Sequence, residues 1–323
     1  MTSTTSLFSP VEPDLRLLSE NLKQLVGKRH PILSAAAEHL FGAGGKRLRP
    51  AIVLLISKAT MLEREITPRH RRLAEITEMI HTASLVHDDV VDESEIRRGV
   101  PTVHSLFGNR IAVLAGDFLF AQSSWYLANL DNLEVVKLLS QVIMDLAAGE
   151  IQQGLNRFDS SISIEAYLEK SYYKTASLIA NSAKAAGCLS AVSPEMTEKL
   201  YHYGRHIGLA FQVVDDILDF TGSAEVLGKP AGSDLKSGNL TAPVIFALKE
   251  KPYLEVLIER EFSQQGDLEQ AIELINEGRG IDRARELAAR EAQTAVDYLV
   301  ELPPSESRQA LIDMADYVLS RLY

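Results

Sequence analysis

Residues 79–92 read M-I-H-T-A-S-L-V-H-D-D-V-V-D, and residues 211–220 read F-Q-V-V-D-D-I-L-D-F. Both set a D-D-x-x-D cluster into an otherwise apolar segment of helical character. On a helix Asp88 and Asp92 are i,i+4 neighbours sharing a face, and the same spacing recurs at Asp215 and Asp219, with Asp89 and Asp216 beside them. Carboxylates that close repel one another, so something positive belongs between them. Hard oxygen donors suit Mg²⁺, which usually takes one or two carboxylates and completes its shell with phosphate oxygens and water. One such motif reads equally well as a solvated acidic face. Two copies in apolar context are much harder to explain that way, and facing each other across a cavity they would hold several Mg²⁺ ions around one diphosphate.

The flanking sequence is helical throughout. None of the twelve prolines falls between Pro101 and Pro194, a span long enough for several helices. Residues 282–300 (D-R-A-R-E-L-A-A-R-E-A-Q-T-A-V-D-Y-L-V) are rich in strong helix formers. Residues 310–322 place Leu311, Met314, Ala315, Val318 and Leu322 on one face. Alternating strand patterns and a regular βα rhythm are absent, so the fold class is all-α. Breaks fall near Gly42–Gly45, Gly99–Pro101, Gly187–Pro194, Gly222–Gly238 and Pro303–Pro304. No stretch reads as a flexible linker or a fixed-period repeat. The expectation is a short disordered tail over 1–10 and a single helical domain over 11–323.

Composition narrows the function. The 323 residues are 46% hydrophobic and 24% charged, ordinary for a globular protein with a sizeable core. A net charge of −11 argues against a general nucleic-acid partner, so an anionic substrate must be captured by local Lys and Arg clusters or by metal ions. The lone Cys188 excludes an intramolecular disulfide and a Cys-rich zinc site, and reads as a small buried hydrophobe. The longest stretch without Asp, Glu, Lys or Arg, Phe118–Leu130, has 13 residues, short of a spanning helix. The N-terminus lacks the basic and apolar regions of a secretory signal. A cytoplasmic protein is expected.

Basic clusters supply the counter-charge. Residues 41–50, F-G-A-G-G-K-R-L-R-P, put Lys46 and Arg49 beside Gly44 and Gly45, where backbone N–H groups can approach an anion closely. This is not a phosphate-binding P-loop, since Arg47 follows Lys46 and Leu40 stands at the first glycine position. Arg97 and Arg98 follow the first acidic motif and suit bidentate phosphate contact, although Glu93 and Glu95 are alternative partners. Lys174 and Thr175 lie in a helix of small residues, and Lys229, Asp234 and Lys236 lie in a loop after the second motif. His81 is two helical turns before Asp88, in position to donate to a second phosphate group. His202 and His206 share a helix face, but no third zinc ligand accompanies them.

Together these residues resemble those of the trans-isoprenyl diphosphate synthases, the head-to-tail prenyltransferases. The likeness runs from about Leu15 to the C-terminus, with G-G-K-R-L-R-P, H-T-A-S-L-V-H-D-D-V-V-D, R-R-G, K-T, F-Q-V-V-D-D-I-L-D and G-K-P-x-G-S-D in family order. The N-terminal L-F-S-P-V-E-P-D-L resembles the solanesyl (nonaprenyl) diphosphate synthases of cyanobacteria and plastids.

The resemblance implies the all-α isoprenoid synthase fold around a deep central cavity, usually as a homodimer. It implies about three Mg²⁺ ions per site, replaceable by Mn²⁺, and two substrates, isopentenyl diphosphate and an allylic primer. Asp88, Asp89, Asp92, Asp215, Asp216 and Asp219 match the metal and allylic diphosphate site. Asp88, Asp92, Asp215 and Asp219 are the implied metal ligands, and Asp88, Asp89, Asp92, Lys174, Asp215 and Asp216 the catalytic set. Arg97, Lys174, Thr175, Gln212 and Lys229 match allylic diphosphate contacts. Lys46, Arg49, His81 and Arg98 match the isopentenyl diphosphate site. Many relatives carry Lys where this chain has Asn239; here either one contact is absent or Lys236 substitutes.

In the implied reaction the allylic C–O bond ionises, the double bond of isopentenyl diphosphate attacks the cation, and a proton leaves to the departed diphosphate. No side-chain nucleophile or base is required, which fits the absence of a Ser–His or Cys–His pair. The tail grows from Asp88 along the preceding helix. Ala83 and Ser84 are small where family members with short products carry bulky aromatics, and Ile80, Thr77 and Ile76 continue the wall. The expected product is therefore long, with any floor supplied by Phe118, Trp125 or Tyr126, and it would serve as a quinone side chain. A peripheral membrane contact would hand over such a product. The competing readings are a geranylgeranyl diphosphate synthase, a terpene cyclase, a non-catalytic partner subunit, and a metal-binding scaffold. A cyclase normally carries a different second motif, a partner subunit loses its Asp clusters, and a scaffold leaves the basic clusters unexplained.

Overall fold

Thr67 and Pro68 start the helix that carries the first acidic motif. Proline at the first helical position lacks an N–H that would be an orphan there anyway, and His70 closes a reciprocal capping box with Thr67. The computed structural model describes residues 7–25, 35–36, 39, 41–42, 47–62, 64–97, 99–222 and 231–322. In chain order the helices are α1 (Glu12–Leu25), α2 (Leu48–Met61), α3 (Pro68–Val91), α4 (Val103–Phe107), α5 (Asn109–Ala128), α6 (Leu133–Leu155), α7 (Ile164–Ser171) and α8 (Ser177–Leu189). They continue with α9 (Pro194–Thr221), α10 (Ser233–Lys236), α11 (Ala242–Leu248), α12 (Tyr253–Glu259), α13 (Asp267–Glu277), α14 (Gly280–Asp297) and α15 (Glu306–Ser320). Among the described residues the only strands are β1 (Ile96–Arg97) and β2 (Val100–Pro101), an antiparallel pair. The all-α expectation holds.

The chain divides into two compact units, 1–143 with 178–201 and 299–313, and 144–177 with 202–298 and 314–323. Of the tail expected over 1–10, residues 1–6 lie outside the described residues, Leu7 is buried and Ser9–Val11 forms a 3₁₀ turn.

In the first unit α2 is buried on nearly every side, as its almost continuous apolar sequence requires. Helix α3 buries Leu73, Ile76, Met79, Ile80, Ala83 and Val86. It runs antiparallel to α5, since His87 lies against Gly116 while the Arg72 guanidinium stacks 4.5 Å from the Tyr126 ring centre. A Cβ at Gly116 would sit 2.2 Å from His87 Nε2, so the absent side chain lets the helices close. By length and composition α5 is apolar enough to cross a membrane, which the uncharged-run criterion missed because Arg110 and Asp117 interrupt it. A third of that window is buried inside the protein.

In the second unit α11 packs on α14 at Gly280, where a Cβ would fall 2.4 Å from Pro243 O. A π-helical turn over Tyr172–Ala176 links α7 to α8 and packs closely on Gly149 of α6, whose Cβ would meet Lys174 N at 3.2 Å. Such single wide turns are frequent at functional sites. Cys188 is half-buried rather than fully buried, and its burial pushes the thiol up.

Candidate active site

The first acidic motif occupies the C-terminal end of α3, and Asp92 is its C-cap, with Asp92 N bonded to Asp88 O at 2.8 Å. Helix C-termini carry a partial negative charge, so three aspartates there oppose both the dipole and one another. Sequence optimised for stability alone would place Lys or Arg there. Asp92 is exposed, Asp88 is half-buried and Asp89 is buried. Arg97 Nε, held by the β1–β2 hairpin, donates to Asp89 Oδ1 at 2.7 Å. Burial pushes the Asp89 carboxyl up, and the Arg97 guanidinium opposes that shift.

A cleft in the same unit is lined by Arg47, Glu78, His81, Thr82, Asp89 and Arg97, among others. Arg49 Nη1 lies 3.2 Å from His81 Nε2. Arginine has no acceptor, so Nε2 accepts and the ring proton sits on Nδ1. Arg49 and His81 are thus brought together as the sequence implied. Lys46 and Arg98, with Gly44 and Gly45, lie outside the described residues. Arg47 was not singled out from sequence, yet it lines this cleft; its place between Lys46 and Arg49 in the basic run was the available signal. Arg97 lines it beside His81, although the resemblance placed it with the allylic contacts.

The residues expected to wall the growing tail are packed against their neighbours. Ala83, Ile80 and Thr77 are buried, and Ser84 is half-buried with its hydroxyl donating to His81 O at 2.9 Å. Thr77 donates to Leu73 O at 2.9 Å and meets Ser182 Oγ at 3.0 Å. Of the suggested floor residues, Trp125 is 63% exposed and so closes nothing within its own unit, Tyr126 is capped by Arg72, and Phe118 is half-buried.

In the second unit the three aspartates of α9 have different surroundings. Asp215 Oδ1 pairs with Arg321 Nη2 at 2.7 Å. Asp216, buried, accepts from Tyr167 Oη at 2.5 Å and from Gln212 Nε2 at 2.8 Å. Burial, reinforced by Asp234, pushes its carboxyl up to about 7. Asp219, also buried, accepts from Ser233 Oγ at 2.9 Å and Asp234 N at 3.2 Å, tying the α10 segment to α9.

The remaining expected residues gather here. Thr175 Oγ1 donates to Gln212 Oε1 at 2.6 Å, so Thr175, Gln212 and Asp216 form a relay. Lys174 Nζ pairs with Glu150 at 2.6 Å and donates to Gln153 at 3.1 Å. Lys229 lies outside the described residues. The ammonium lying against Asn239 belongs to Lys170, not Lys236, which is exposed. Sequence reading missed Tyr167 and Lys170; their spacing before K-T was the only available signal. The histidine pair is not a metal site: His206 Nδ1 pairs with Glu291 at 2.6 Å and His202 stacks 4.9 Å from Tyr298.

Among the described residues no group of three or more His, Cys, Asp or Glu could hold a metal alone. A hard divalent cation such as Mg²⁺ takes few protein carboxylates and completes its shell with phosphate oxygens and water. The donors present are hard carboxylate oxygens, the right kind for it.

Comparison with known proteins agrees. A family model described as polyprenyl synthetase matches residues 30–275. A prenyl transferase of Synechocystis is 70% identical over 323 residues and covers 100% of both chains. The chloroplastic solanesyl diphosphate synthase 1 of Arabidopsis thaliana is 58% identical, over 99% of this chain and 80% of its own. The crystal structure of a Caulobacter crescentus polyprenyl synthase, complexed with calcium and isoprenyl diphosphate, is 34% identical and superposes with a TM-score of 0.91 over 98% of each chain. With that fold, and with both acidic motifs and the basic residues around them in place, the chain belongs to the polyprenyl synthetase family of trans-prenyltransferases.

Proposed function

We propose that this enzyme elongates an allylic diphosphate with successive isopentenyl diphosphate units to a long all-trans polyprenyl diphosphate, solanesyl diphosphate. The observation that carries this is the first motif: aspartates stacked against a helix dipole, beside an apolar helical wall with small residues at 83 and 84. Asp88, Asp92, Asp215 and Asp219 would hold Mg²⁺, about three ions per site and replaceable by Mn²⁺. Bound Mg²⁺ would stabilise the charge that develops on the leaving diphosphate. Lys174, Thr175, Gln212 and Lys229 would hold the allylic diphosphate, with Arg97 contributing. Arg49 and His81, with Lys46 and Arg98, would hold isopentenyl diphosphate. Asp216, held by Tyr167 and Gln212, would keep Gln212 and Thr175 oriented toward that diphosphate. Water must be excluded, because it would quench the allylic cation.

The homodimer implied by the resemblance is supported by the exposed apolar face of α5, which includes Val113, Leu114 and Trp125. Cytoplasmic residence with peripheral membrane contact for product release completes the proposal. The test incubates purified protein with Mg²⁺, isopentenyl diphosphate and farnesyl or geranylgeranyl diphosphate, then sizes the dephosphorylated products by mass spectrometry. A ladder ending near nonaprenyl is expected. A stop at geranylgeranyl would refute the long product, and no elongation would refute the reaction. Asp88→Ala or Asp215→Ala should lower turnover by orders of magnitude with the fold intact.

A further inference from the structure

Lys170 is 5% exposed, yet among the described residues its ammonium has one hydrogen-bonding partner, Asn239 Oδ1 at 2.5 Å, and no carboxylate at ion-pair distance. A neutral amide does not neutralise an ammonium, and the Tyr167 ring, 5.9 Å away, adds only a weak attraction. Lysine is almost never fully buried without a partner. Burial lowers its pKa and the more distant carboxylates, Asp216 foremost, offset this only in part, so the site holds this charge at a cost that a bound anion would relieve. The ammonium lines a small cleft together with Gln153, Lys174, Gln212, Asp216 and Thr241. A second, independent observation points into the same cleft. Thr241 is 2% exposed, and its hydroxyl has no hydrogen-bond partner and does not cap α11, the helix it precedes.

We infer that Lys170, positioned by Asn239, is a substrate contact that binds the diphosphate of the allylic substrate, with the Thr241 hydroxyl as an accompanying donor. This rests on the reading of the cleft as the allylic diphosphate site. It also settles what stands in for a loop lysine. The cation comes from helix α7, carried over to the loop by a lysine–amide bond, and Asn239 acts as its positioning residue. An ammonium–phosphate bond is charge-assisted, whereas a lysine serving only as a strut would need no anion.

The test compares wild type, Lys170→Met, Lys170→Arg, Asn239→Ala and the exchange Lys170→Met/Asn239→Lys. The readouts are calorimetric affinity for inorganic pyrophosphate with Mg²⁺, and the separate KM values for geranylgeranyl and isopentenyl diphosphate. Lys170→Met should weaken pyrophosphate binding and raise the allylic KM by about 10- to 100-fold, leaving the KM for isopentenyl diphosphate unchanged. Lys170→Arg should lose less, and the exchange should recover most of the affinity. Wild-type pyrophosphate affinity in a folded Lys170→Met protein would overturn the assignment. So would an Asn239→Ala protein as impaired as Lys170→Met together with an exchange that rescues nothing. If wild type fails to elongate any primer, the proposed reaction fails instead, while the pyrophosphate titration still reads Lys170 by itself.

Discussion

Replacing Tyr167 with Phe should shift the enzyme's dependence on Mg²⁺ through a residue that need not touch the metal. Asp216 is 2% exposed and has two side-chain donors, Tyr167 Oη at 2.5 Å and Gln212 Nε2 at 2.8 Å. Burial already pushes its carboxyl up to about 7, so at neutral pH the ionised and protonated forms are comparably populated. Removing the hydroxyl removes a hydrogen bond made to the ionised form. Such bonds contribute about 1.5–3 kcal/mol, which favours the protonated form by a further 10- to 100-fold or so. About half of the wild-type carboxyls are protonated at pH 7, so the ionised fraction should fall roughly 5- to 50-fold; because Asp216 acts on the metal through its neighbour Asp215, that factor is the upper bound on the rise in half-saturating Mg²⁺ concentration. Near pH 9 the competition fades and the gap should narrow to about twofold or less. The assay is a Mg²⁺ titration of elongation at both pH values, with a thermal melt to confirm folding. An unchanged half-saturation at pH 7, or an equal shift at both pH values, would refute the argument.

Three other outcomes are expected. Ser84→Phe places a ring on the wall one turn before Asp88 and should shorten the product sharply; an unchanged ladder by mass spectrometry would sink the channel reading. His70 is fully buried, accepts Thr67 N at 3.2 Å on Nδ1 and meets Ser190 Oγ at 3.1 Å, and burial, with Arg69 and Arg71, lowers its pKa to about 4. Its folded pKa lies below the unfolded value near 6.5, so its stabilisation is complete above pH 6.5 and is lost as pH falls towards 4. The stability advantage of wild type over His70→Gln should shrink by about 3 kcal/mol on going from pH 7.5 to 4; parallel denaturation curves would contradict this. Arg321→Gln frees Asp215 from a pair whose members are 20% and 40% exposed. A partly exposed pair is worth up to about 1 kcal/mol, so the half-saturating Mg²⁺ concentration should fall by no more than about fivefold, and a rise would disprove competition between Arg321 and the metal.

The helical class and both acidic motifs were legible in the sequence because each leaves a local trace, proline-free periodicity in one case and i,i+4 acids in apolar context in the other. The pairing of Arg49 with His81, from two different helices, followed from family order rather than spacing. What sequence could not supply was hydrogen-bond direction. Thr175 and Gln212 each read as a phosphate contact, yet they bond to one another and then to Asp216. Tyr167 and Lys170 look like ordinary residues of an amphipathic helix. Their importance comes from what α9 and the segment around Asn239 bring against them, which no local pattern encodes. The ammonium that lies against Asn239 comes from Lys170, 69 positions upstream, a pairing no local pattern announces.

The second motif assigns its three carboxylates three different tasks. Asp215 reaches the Arg321 guanidinium in a partly exposed ion pair. Asp216 points into the protein and is oriented by Tyr167 and Gln212. Asp219 shares a face with Asp215 by spacing, but both its oxygens already accept bonds, from Ser233 Oγ and Asp234 N. A metal at Asp219 must therefore share those lone pairs with the α10 segment, which makes metal binding and the placement of that segment interdependent. The ladder continues from Asp234 O to Asn239 N at 2.9 Å, and Asn239 in turn accepts from Lys170, so one run of hydrogen bonds joins the end of the motif to the buried ammonium. The D-D-x-x-D spacing is thus more than a way to bring two acids to one face. Its middle aspartate and its last one organise the elements that carry the cations.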